Sequence, residues 1–94
     1  MPKYLVERNF GLKSDDEMDE LGRSSKRLTI DEFPDIVWHH SHVVVDADGS
    51  VRTYCIYTAP NEERVRQHAA AFGGHFIDVI SEIAGDVDPD EILV

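Results

Sequence analysis

Tyr54-Cys55-Ile56-Tyr57-Thr58-Ala59-Pro60-Asn61-Glu62-Glu63-Arg64-Val65-Arg66-Gln67-His68 reads as a strand that stops at a proline and turns directly into a helix. Tyr54 to Thr58 are aromatic, β-branched or small, which suits a pleated, mostly buried surface. Pro60 has no amide hydrogen to give a sheet ladder, so the strand ends there. Asn61 follows as a helix N-cap, and Glu62 and Glu63 sit at the positive end of the helix dipole. Val65, Ala69 and Phe72 recur at helical spacing as the buried stripe, with His68 beside it.

Working outward from this corner, Gly73-Gly74 closes the helix, since glycine accepts a left-handed cap, and Phe76 to Ala84 holds a last strand. Upstream, Val51 to Thr58 is the return arm of a hairpin whose loop is Asp46-Ala47-Asp48-Gly49-Ser50 and whose outgoing arm is Ile36 to Val45. That loop only faintly resembles a calcium loop: the glycine comes too early, and Tyr57 stands where the bidentate glutamate belongs. Lys3 to Phe10 alternates as a first strand, Tyr4, Val6, Arg8 and Phe10 pointing one way, until Gly11 breaks it. Ser14-Asp15-Asp16-Glu17 is a capping box opening a helix from about Asp15 to Glu32. Met18, Leu21, Ser25 and Leu28 form its inner face. Pro34-Asp35 ends it. The order β-α-β-β-α-β predicts an α+β, ferredoxin-like sandwich, an antiparallel sheet with both helices on one face. The uncovered face predicts dimerisation of the α/β-barrel kind.

Ninety-four residues form one domain, 1–94, with residues 86–94 as an acidic tail. With 19 acids against 9 bases the net charge is −10, which repels a phosphate backbone and argues against nucleic acid as a partner. No apolar run approaches the roughly 18 residues that span a bilayer, and no signal segment is legible, so no membrane partner and a cytoplasmic location are expected. The single cysteine, Cys55, excludes an internal disulfide and reads as a small buried residue. Glu82, between apolar neighbours on the last strand, is a candidate partly buried carboxylate. No nucleophile-base set and no phosphate loop is legible.

The chemically richest segment is Trp38-His39-His40-Ser41-His42. Regular alternation puts Trp38, His40 and His42 on one face, with His39 and Ser41 on the other. If Val45 pairs with Val51, His42 lies opposite Tyr54 and His40 opposite Ile56. Val37, Ser41, Val43, Val45, Cys55 and Tyr57 then fall under the helices, and His40 and His42 on the bare side. Histidines at i and i+2 sit about 6.5–7 Å apart at Cα, close enough for both rings to reach one borderline ion such as nickel, copper or zinc. Two ligands need company, from His68, His75, Glu7 or a second subunit. A hydrogen-bonded polar patch is the competing reading of the same pair. His68 alternatively bonds a strand carbonyl, and His75 falls in a loop.

The opening Met1-Pro2-Lys3-Tyr4-Leu5-Val6-Glu7-Arg8, Trp38-His39-His40-Ser41, Tyr54 to Glu63 with its Ala59-Pro60-Asn61-Glu62-Glu63 core, Val65-Arg66-Gln67-His68-Ala69, Gly73-Gly74 and Ile80-Ser81-Glu82 together resemble the small bacterial nickel-binding-protein-like family. The resemblance covers nearly the whole chain. It implies a ferredoxin-like fold, a homodimer and, from at least one characterised member, nickel bound at surface sites of the dimer with a role in metal sequestration. His40 and His68 match positions where relatives often carry histidine.

The expectation is therefore a homodimer that binds a divalent transition metal, nickel first, through His40 and His42 with help from His68 or Glu7. Acidification through the ordinary imidazole range would release the ion. The rival from another class is a small dimeric α/β-barrel enzyme, a cofactor-independent monooxygenase or isomerase. Its cavity would be lined by Trp38, His40, His42 and Tyr54, with histidine as general base.

Overall fold

The computed structural model describes residues 1–94. Its elements are β1 (Lys3–Leu12), α1 (Asp15–Glu32), β2 (Val37–Val45), β3 (Ser50–Thr58), α2 (Glu62–Phe72) and β4 (Phe76–Glu82), with a 3-10 turn at Pro89–Glu91 in the acidic tail. The strands form one antiparallel sheet in the order β2-β3-β1-β4. This is the expected split βαβ arrangement, with the two halves interleaved so that β1 and β3 are central. No helix is long and apolar enough to cross a membrane.

Local chemistry fixes the ends. The Ser14 hydroxyl accepts the Glu17 amide at 3.1 Å, while the Glu17 carboxylate accepts the Ser14 amide at 3.3 Å. Ser14→Ala removes half of this reciprocal cap and is expected to cost about 1 kcal/mol in urea unfolding. Asn61 Oδ1 accepts the Arg64 amide at 2.8 Å and starts α2; Gly73, at φ +71°, ends it. In the hairpin, the Gly49 amide donates to the Asp46 carbonyl at 2.9 Å, and glycine alone takes the φ of +89° comfortably.

Gly11 does not end β1. It sits at φ +70° where the register with β3 shifts between Asn9 and Gly11, and its amide donates to Asn9 Oδ1 at 3.0 Å. A glycine in the left-handed region inside a ladder makes a bulge, and the strand runs on to Leu12.

The alternating face of β1 and β3 builds the core. Tyr4, Val6, Cys55 and Tyr57 pack there with Phe33, Ile36, Ala59 and Val65, and Phe10, against Phe72 and His75, and Val51 are buried on the same face. Of the inner face expected for α1, only Ser25 is buried; Met18, Leu21 and Leu28 are half-buried. That helix is anchored at its C-terminal end and stands off the sheet along its first half.

Candidate functional site

The hairpin register holds: Val45 pairs with Val51, His42 with Tyr54 and His40 with Ile56. Since Cys55 and Tyr57 face the helices, His40 and His42 emerge on the side that the helices leave bare. Both are exposed, and their ring centres lie 5.2 Å apart at an interplanar angle of 80°.

The regular alternation fails one step earlier. Trp38 pairs with Tyr57, and the register shifts between Trp38 and His40, so His39 is an extra residue in β2. One inserted residue reverses the phase of everything before it. Trp38 is therefore turned under the helices, its ring 6.3 Å from that of Tyr57 and its Nε1 donating to Ser41 Oγ at 2.8 Å. Val37, expected under the helices, pairs instead with Thr58 on the bare side. His39 bonds Thr58 Oγ1 at 2.7 Å rather than joining Ser41 on the covered side.

His68 corrects the expected ligand set. It is 1% exposed on the covered side, its ring 5.2 Å from Phe33 and 6.0 Å from Tyr57. The sheet separates it from His40 and His42. Its partner is no strand carbonyl but the hydroxyl of Thr29 on α1, at 3.1 Å. Thr29 already donates to the Ser25 carbonyl at 2.9 Å, so its oxygen accepts from His68 Nε2–H. Burial, then the nearby Arg8 charge, push this imidazole down to about 4, which keeps it neutral.

Glu7 lies on the bare face of β1, opposite Tyr54, which is itself opposite His42. Two strand spacings, about 9.5–10 Å, thus separate Glu7 from His42 at Cα. No group of three His, Cys, Asp or Glu side chains gathers closely enough in the chain to hold an ion. Glu82 is exposed. Cys55 is buried, its thiol donating to Thr53 Oγ1 at 3.3 Å.

The covered side holds what the sequence reading did not anticipate. A cavity of about 470 Å³ lies between the first half of α1 and the sheet. Trp38 and His40 belong to its lining, but His42 and Tyr54 do not, so the cavity imagined for the enzyme reading is not the one present. Its floor includes Arg8, 2% exposed, and Tyr57, whose phenol burial pushes up to about 12. Arg8 Nη1 donates to His75 Nε2 and Nη2 to Tyr57 Oη at 3.3 Å. Because Nε2 of His75 accepts, its proton sits on Nδ1, which donates to the Gly73 carbonyl at 2.7 Å. This ring is stacked on Phe10 at 5.1 Å rather than free in a loop, and burial lowers its pKa.

No curated protein matches the chain. Its fold is that of a solved protein described as SCO4226 from Streptomyces coelicolor A3(2), with a TM-score of 0.64 at 20% identity, over 90% of this chain and 99% of that one. Residues 4–83 match the profile of the family described as nickel responsive protein SCO4226-like, and the chain belongs to that family.

Proposed function

We propose that this is a cytoplasmic protein that binds and sequesters a divalent transition metal, nickel first, as a homodimer, with His40 and His42 as the paired ligands. The observation that carries the reading is the disposition of these two rings. Imidazoles bound to one ion at about 2.0–2.1 Å per bond place their ring centres about 4.5–5.5 Å apart. The separation of 5.2 Å falls inside that range. Imidazole nitrogen suits nickel, copper and zinc, and the family's description as nickel responsive favours the first.

A pair is half a site, and the rest of the coordination comes from solvent or from a second copy. The bare face favours a second copy: Val37, Val44 and Val79 are exposed there among polar groups, and Phe76 is 79% exposed. Apolar side chains on an uncovered sheet are commonly buried against a symmetric partner. Sheets packed face to face sit about 10 Å apart. At that spacing Glu7 of the partner subunit could complete a site that its own subunit cannot.

Calorimetric titration of tag-free protein with nickel tests the reading. The His40→Ala/His42→Ala double variant is expected to lose more than about 100-fold in affinity, beyond the 10- to 100-fold that changes outside the ligand shell cost. Equal affinity in the two proteins would remove this site. Light scattering on the same samples should give the mass of a dimer.

A further inference from the structure

The cavity under α1 raises a question that the exposed histidines do not answer: what neutralises Arg8. A guanidinium stays charged at all working pH values, and burying it is costly unless an anion pairs with it. Arg8 is 2% exposed, yet no carboxylate lies within ion-pair distance of it. Its two hydrogen-bond partners, His75 and Tyr57, are neutral, and two bonds occupy only part of a five-donor fork. Asp19 stands on the α1 side of the cavity but is exposed and makes no ion pair.

We propose that this cavity is a binding site for a small aromatic carboxylate, its carboxylate paired with Arg8. A planar, two-oxygen acceptor matches the fork of a guanidinium. The volume, about 470 Å³, lies within the roughly 300–1,000 Å³ of small-molecule sites. The rest of the wall selects the body of the ligand. Trp38, Phe10 and Phe72 offer ring faces and edges, and Met18 and Leu21 close the α1 side. Such a surface takes a flat apolar ring system through offset or edge contacts. The bulge in β2 is what delivers Trp38 to this wall. His40, which belongs to the lining of this cavity, is the residue it shares with the proposed metal site; His42 does not line it.

Trp38 is the protein's single tryptophan, so its fluorescence reports on the cavity directly. The full-length protein would be titrated with phenylacetate and indole-3-acetate, with their neutral amides, and with inorganic phosphate, by fluorescence and calorimetry. The carboxylates are expected to bind at least tenfold more tightly than the amides and than phosphate. Arg8→Gln should erase that preference. Gly22→Leu, on the lining face of α1 where an added Cβ meets nothing within 4 Å, should block entry with Arg8 intact. This second variant keeps the test decisive if Arg8→Gln does not fold. Carboxylate and amide binding equally, phosphate binding as well as either carboxylate, no binding of any carboxylate, or full binding in Gly22→Leu would each overturn the proposal.

Discussion

Phe33→Ala is expected to lower the free energy of unfolding by about 3–5 kcal/mol, the range for truncating a buried aromatic in a close-packed core. Phe33 follows the last turn of α1 and is 6% exposed. Its ring meets the edge of His68 at 5.2 Å, and the Arg64 guanidinium lies 4.3 Å from its centre. Arg64 in turn donates from Nε to Asp35 at 2.8 Å, so one aromatic ring ties the end of α1, the turn after it and α2 together. Nothing comparable holds the first half of α1, which spans the cavity. Removing Phe33 therefore removes the main anchor of the helix rather than one contact among many. With a total stability of about 5–15 kcal/mol for a domain of this size, the variant should show a large drop in its urea midpoint. A cost under about 1 kcal/mol would mean that α1 is held from elsewhere.

Acid should unfold the protein early, and His68 should account for much of the effect. Its ordinary value of 6.5 is lowered in the fold to about 4, by burial first, then by Arg8, with His75 and Arg64 adding to it. Below 6.5 the unfolded chain takes up a proton that the folded chain refuses. The stabilisation is present in full above 6.5 and is lost as pH falls towards 4. At about 1.4 kcal/mol per unit, the loss is roughly 2–3 kcal/mol. His75, lowered by burial, acts in the same direction. Asp35, held below the usual carboxylate range by its bond to Arg64, extends the trend to lower pH. In His68→Gln the amide can still donate to Thr29 but cannot titrate, so the slope of stability between pH 6.5 and 4 should flatten. Parallel slopes in the two proteins would remove His68 from the account.

The elements were readable wherever the determining chemistry is local. Pro60-Asn61, the Ser14 capping box and Asp48-Gly49 each act within a few residues, and the hairpin turn then sets the register that carries His40 and His42 outward. The extra residue at His39 was not readable. Its presence rests on how the indole of Trp38 packs on Tyr57, two strands being compared at once, and no local signal marks it. His68 borders the buried stripe of α2, and with both helices on one face and His40 and His42 on the other, its separation from them was already legible; its bond to Thr29 on α1, a contact between two helices distant in sequence, was not. Arg8 is the instructive case. Its phase with Tyr4, Val6 and Phe10 places a cation in the buried stripe, and alternation alone reveals that much. That no acid meets it is a property of the folded arrangement.

The irregularity in β2 also gives the strand slack. Removing His39 would close the ladder into an unbroken register with Trp38 still opposite Tyr57 and both imidazoles still outward. Chains one residue shorter at this point could thus keep indole and imidazole on their present sides, whereas a loss between His40 and His42 would drive the two rings to opposite sides. Length variation is harmless at one position of this edge and ruinous two residues further along.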